Sequence, residues 1–167
     1  SQLILGGDHL GPNPWKSEPA KQAMLKASQL IRDYVLAGFT KIHLDTSMHL
    51  GDDEGQGQSA LDPRIVAERS AQLCKVAEEA YEELLQDDPK AVAPLYVIGT
   101  EVPAPGGTQG DEGQLSITTP KDFHQTVRVT RDAFVQYGLE RAWDRLFGVV
   151  VQPGVEFGDH SIHEYDR

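Results

Sequence analysis

Cysteine is almost missing from this 167-residue chain: the single Cys74 cannot form an internal disulfide, so no thiol framework holds the fold. No apolar run approaches the ~20 residues of a membrane-spanning helix, which excludes a span of that kind. Bases are scarce, with 15 Lys and Arg against 26 Asp and Glu, a formal charge of −11. Such a field repels phosphate backbones and argues against a nucleic-acid partner, although an acidic chain can still take an anionic metabolite locally. No charged-then-apolar leader opens the sequence; with one lone thiol, the cytoplasm is the expected compartment. Three familiar motifs are missing too. Gly-x-x-x-x-Gly-Lys-Ser/Thr and a strand-linked Gly-x-Gly-x-x-Gly would signal Walker-type and Rossmann nucleotide sites, and Gly-x-Ser-x-Gly a serine-nucleophile elbow.

What is present is the composition of one globular domain, 39% hydrophobic and 25% charged, spanning residues 1–167. Short apolar runs end in polar or glycine-rich segments and are followed by longer stretches with helical spacing, the alternation of βα units. The runs Gln2–Leu5, Lys41–Leu44, Leu95–Ile98 and Phe147–Val151 predict four strands, rich in Ile, Val and Leu without clean alternation, as in a parallel sheet. Ala20 to Val35 carries apolar residues three and four apart, with Gly38 as the C-terminal cap. Asp62-Pro63 and Thr119-Pro120 each place a capping side chain before a first-turn proline and open two further helices. Residues 139–145 add a short helical turn. The acidic, glycine-rich Gly51–Ser59 and the Pro/Gly-rich Pro103–Gly113 read as loops on the carboxyl side of strands, where parallel α/β folds build their sites.

The fold class is therefore α/β. A complete (β/α)₈ TIM barrel takes about 250 residues, so four strands here correspond to about half of one, and the alternative is an open sheet. The start of the chain close to a strand and without Met favours a central portion of a longer barrel.

Each of the first three strands is expected to deliver an acid at its carboxyl end, Asp8, Asp45 and Glu101, and the first adds His9. Carboxylates and an imidazole converging there would suit a divalent metal, zinc if nitrogen takes part and magnesium if the shell is all oxygen. Helix capping or pairing with nearby bases explains the same acids about equally well. In Asp8-His9 one residue could be a ligand and the other a base, with Gly6-Gly7 allowing close approach and Gly11-Pro12 turning the chain. His43, inside the second strand, reads as a hydrogen-bonded core imidazole, His124 as a surface residue and Cys74 as core. His160 and His163, three apart, could share a helical face as a metal pair.

Four ordered segments carry a resemblance over nearly the whole chain: Leu-Gly-Gly-Asp-His-Leu-Gly-Pro (5–12), Ala-Gly-Phe-Thr-Lys-Ile-His-Leu-Asp-Thr-Ser-Met (37–48), Tyr-Val-Ile-Gly-Thr-Glu-Val-Pro-Ala-Pro-Gly-Gly (96–107) and Val-Val-Gln-Pro-Gly-Val-Glu-Phe (150–157). They resemble the GatZ/KbaZ family. Its members are described as the non-catalytic subunit of class II D-tagatose-1,6-bisphosphate aldolase in galactitol or N-acetylgalactosamine catabolism, required for full activity and stability of the catalytic partner. Some carry the label tagatose-6-phosphate kinase. The resemblance implies a catalytic aldolase subunit as partner and a phosphorylated ketose as small-molecule ligand. It implies Asp8 as the acid–base residue, His9 as a zinc ligand, and Asp45 and Glu101 as carboxylates near the metal. Gly106, Gly107, Gln152 and Gly154 would lie against substrate. Gln152 stands where the wider class II superfamily has a histidine ligand, which leaves His160 as the substitute. A stand-alone metal-dependent aldolase or epimerase of sugar phosphates or sugar acids is the alternative, and a kinase the third.

Overall fold

The computed structural model describes residues 4–55, 60–99 and 117–152, and the backbone of Glu156–Phe157 and Ile162–His163. Four strands, β1 (Gly6–Leu10), β2 (Lys41–Leu44), β3 (Leu95–Gly99) and β4 (Leu146–Val150), form a parallel sheet in the order 1-2-3-4. Helices α1 (Ala20–Leu36), α2 (Pro63–Asp87) and α3 (Pro120–Gln136), with the short α4 (Glu140–Trp143), make the crossovers that parallel neighbours require. Neighbours in sequence are neighbours in the sheet throughout. A doubly wound sheet would reverse at a switch point, whereas an unbroken order is that of successive barrel units.

Helix starts follow the side chains that supply their unpaired N–H groups. Asp62 accepts from the Arg64 N–H (2.8 Å) ahead of Pro63, and Thr119 with Asp122 forms a reciprocal capping box. The N-cap of α1 is Pro19, which offers no side-chain acceptor; Asp52, from the loop after β2, reaches across to the Ala20 N–H (2.6 Å). Asp53 beside it holds Arg69 of α2 in a two-pronged ion pair (2.6 and 2.9 Å) and accepts the Leu50 N–H. Burial works to raise the Asp53 carboxyl, but the hydrogen bonds from Arg69 and Leu50 prevail and hold it below the ordinary range. The described part of the acidic loop is thus a clasp between α1 and α2. Gly38 and Gly138, with φ of +85° and +70°, end α1 and α3 as their positions predict.

The helices cover one face of the sheet. Ile31 and Val35 of α1, Leu73 and Ala77 of α2, and Phe134 of α3 join Ile42, Leu44 and Tyr96 in one buried cluster, and each large side chain taken from water contributes roughly 1.5–3 kcal/mol. Cys74 is in this core, and burial pushes its thiol far up. A second polar knot lies where α2 meets β3 and β4. Glu78 accepts from Tyr96 Oη and from Arg145, whose guanidinium also donates to the Pro94 carbonyl (2.8 Å) and lies over the Tyr96 ring (5.6 Å).

The first strand departs from expectation. Its parallel ladder with β2 pairs Gly6 with Lys41, Gly7 with Ile42 and Leu10 with Leu44, so the strand runs through Asp8 and His9 instead of ending before them at Leu5. Paired glycines look like a turn in sequence. Here they are packing vacancies: a Cβ on Gly7 would come within 2.5 Å of Leu10 and 2.9 Å of Tyr34. A second correction concerns His163. It pairs with Glu156 in a short antiparallel ladder of β5 (Glu156–Phe157) and β6 (Ile162–His163), not on a helix, so the helical His160/His163 pair is not formed. His160 itself lies outside the described residues.

Candidate functional site

Three strands bring a compact polar group together on the sheet face away from the helices. The register between β1 and β2 slips between Gly7 and Leu10, three steps on one strand against two on the other, and within that bulge His9 adopts a φ of +50°. In a regular strand Asp8 and His9 would face opposite sides. The bulge lets both serve the same side: Asp8 Oδ1 lies 3.9 Å from His43 Nδ1, and the His9 and His43 rings stand 4.9 Å apart.

His9 Nδ1 is 3.1 Å from Asp45 Oδ2, a carboxylate that is almost fully buried. The Ser47 hydroxyl donates to the other oxygen at 2.9 Å. Donation from Nδ1–H to Asp45 orients the imidazole, and in the neutral ring this tautomer makes Nε2 the acceptor nitrogen, the arrangement that serves in histidine bases and metal ligands. The backbone is equally tight here. The Asp45 N–H donates to the Leu10 carbonyl (3.0 Å), and a Cβ on Gly11 would sit 1.7 Å from the Asp45 carbonyl oxygen, so only glycine passes.

His43, only 2% exposed, is the hydrogen-bonded core imidazole the sequence suggests. Its Nδ1 accepts the His9 N–H (3.3 Å) and its Nε2 donates to the Gly99 carbonyl (3.3 Å), a pairing that only the neutral ring can make. Burial lowers its pKa, and this outweighs the Gly99 hydrogen bond and the Asp45 charge, which act to raise it. His43 thereby ties the bulge of β1 to the end of β3, where Gly99 has a φ of +101° and a Cβ would meet Val150 backbone at 2.7 Å.

Asp8, by contrast, is two-thirds exposed and its carboxylate is ion-paired with Lys41 Nζ, whose pKa burial lowers. Lys41 is a residue that sequence reasoning missed. The available signal was a lysine two residues before a histidine in a short apolar strand, which puts both on one face. Gln152, beyond β4, is buried, and its backbone is clamped to Thr118 by two bonds of 2.9 and 3.0 Å, joining the strand end to the start of α3. Glu101, Gly106, Gly107, Gly154 and His160 lie outside the described residues. His124 is exposed on α3.

Of the expected cluster, then, His9 and Asp45 meet directly and Asp8 joins them through His43. As a metal site the described donors do not fit. Asp45 is engaged by His9 and Ser47, Asp8 by Lys41, and among the described residues no three His, Cys, Asp or Glu side chains gather closely enough to hold an ion. A zinc centre with an open position takes three protein ligands.

Comparison with known proteins gives the family. The family described as D-tagatose-1,6-bisphosphate aldolase subunit GatZ/KbaZ-like matches residues 1–167. Proteins named D-tagatose-1,6-bisphosphate aldolase subunit GatZ from Salmonella agona (strain SL483) and Salmonella heidelberg (strain SL476) are each 49% identical over 164 residues, 98% of this chain and 37% of theirs. A crystal structure of a probable tagatose 6 phosphate kinase from Sinorhizobium meliloti 1021 superposes with a TM-score of 0.75 at 44% identity, covering 98% of this chain and 35% of that one. The chain thus spans little more than a third of the length of these relatives, and its four parallel strands with the helices between them fit part of a TIM-barrel-like fold. It belongs to the GatZ/KbaZ-like family of D-tagatose-1,6-bisphosphate aldolase subunits.

Proposed function

We propose that the protein containing this chain acts in carbohydrate metabolism as the supporting subunit of a class II D-tagatose-1,6-bisphosphate aldolase, raising the activity and lifetime of a catalytic partner subunit. The four parallel strands and their crossover helices would then be a central part of a (β/α)₈ barrel working in the cytoplasm. The observation that carries the non-catalytic part is the state of the acid–base candidate. Asp8 is ion-paired to Lys41 instead of standing ready for a substrate hydroxyl, and a general base must reach the proton that it abstracts. Gln152 points the same way, because a neutral amide is a poor zinc ligand at a position where the wider class II superfamily has a histidine. What remains is a fixed imidazole, His9 on Asp45, with Gly106, Gly107, Gln152 and Gly154 as the residues expected to meet a phosphorylated ketose.

The test is to mix the full-length protein with the catalytic aldolase subunit and measure turnover and thermal half-life. An increase in either is the expected result; no change in both removes the proposal. A second reading, a stand-alone metal-dependent aldolase or epimerase, draws on the His9–Asp45 pair. It would need Glu101 and His160 to complete a zinc shell, and would turn over ketose phosphates without a partner. The kinase name of the Sinorhizobium meliloti relative gives a third: ATP-dependent phosphorylation of tagatose 6-phosphate by the purified protein would establish it.

A further inference from the structure

We infer that Lys41 is the resident cation of this site: beside Asp8 its ammonium fills the charge position that a divalent metal would otherwise take, and the site works without one. The inference deepens the supporting-subunit reading and rests on it. Lys41 opens β2 on the same face as His43, and its ladder partner on β1 is Gly6. A Cβ on Gly6 would approach the Lys41 stem to 3.1 Å, so the glycine leaves a lane along which the lysine lies against β1 and reaches Asp8, two residues further on. His43, 3.9 Å from the same carboxylate oxygen, supplies no positive charge there. Its Nδ1 is occupied in accepting the His9 N–H and its Nε2 in donating to Gly99. Among the described residues Lys41 is therefore the cation that balances Asp8. A divalent ion seated on Asp8 would stand against the like charge of Lys41, whose side chain is largely covered, so that the repulsion is screened less than between two fully solvated ions.

The test uses the full-length protein dialysed against zinc chloride, with zinc per chain measured by elemental analysis, in the wild type, Lys41→Met, Lys41→Arg and the double variant Lys41→Met with Asp8→Asn. Wild type and Lys41→Arg should remain substoichiometric. Lys41→Met should bind zinc about tenfold or more tighter than wild type, and the double variant should lose that gain. Should Lys41→Met fail to fold by circular dichroism, Lys41→Gln, which keeps a polar stem, replaces it. One zinc per chain in the wild type overturns the inference. So does a folded charge-removed variant that stays as poor in zinc as the wild type. Stimulation of the catalytic subunit, measured on the same preparations, tests the supporting role separately: its loss counts against that role and leaves the zinc comparison standing.

Discussion

A methyl group at Gly11 would sit 1.7 Å from the Asp45 carbonyl oxygen, with backbone on both sides and nowhere to relax. Gly11→Ala should therefore destabilise the protein by about 3 kcal/mol or more, seen as a lowered thermal midpoint; an unchanged midpoint would mean that the two loops are not held together as described. His43 predicts a pH dependence. Its folded pKa is lowered by burial, so below about pH 6.5 the unfolded chain takes up a proton that the folded chain resists. Stability should fall as pH drops from there through the folded pKa, by at most about 1.4 kcal/mol per pH unit from this group. Melting curves from pH 7 to 5 should be flatter for His43→Gln. At this scale Asp8, His9 and Asp45 are legible in sequence, because polar groups closing apolar runs stand out. Lys41 and the neutrality of His43 are not, since both depend on which groups lie across the strand.

Glu78 joins three elements through single atoms, accepting from Tyr96 on β3 and from Arg145 just ahead of β4 while sitting on α2. Burial works to lower the Arg145 pKa, and the Glu78 hydrogen bond and charge prevail in raising it; burial together with neighbouring Cys74 and Glu78 pushes Tyr96 far up. Glu78→Gln should cost about 2 kcal/mol, the value of hydrogen bonds to a charged partner plus a guanidinium left partly buried. In a double-mutant cycle with Arg145→Met the two changes should be strongly non-additive, and simple additivity would remove the pair from the account. Helix starts are the most legible elements, since Asp62-Pro63 and Thr119-Pro120 name their own caps. The start of α1 is not, because its cap, Asp52, arrives from a loop 32 residues away. β1 is misplaced for a related reason: Gly6-Gly7 is chosen by neighbours on β2 and α1, not by a local turn.

Across the whole molecule, β2 and β3 are paired on both sides, while β1 and β4 each have one partner among the described residues. Phe147 and Val151 at the β4 side are more than 40% exposed. Amide exchange on the 167-residue chain should accordingly be slowest in Ile42–Leu44 and Tyr96–Ile98 and faster along β4. In the full-length protein, where a barrel would supply a further neighbour, β4 should gain protection. Equal exchange of β4 in the two forms would argue against a strand beside it. The parallel α/β class and the order of the units are legible because periodicity survives without context; closure into a barrel is not, because it is decided by edges that meet other chain.

The bulge that seats His9 carries a lesson for engineers. Two adjacent residues of one strand are offered to one face only because an extra residue is accommodated there, at a backbone angle that side chains resist. Copying Asp8 and His9 onto an evenly laddered strand of another scaffold would send one of them outward. A transplant must carry the irregular stretch from Gly6 to Gly11 with its partner segment around Asp45 as one cassette.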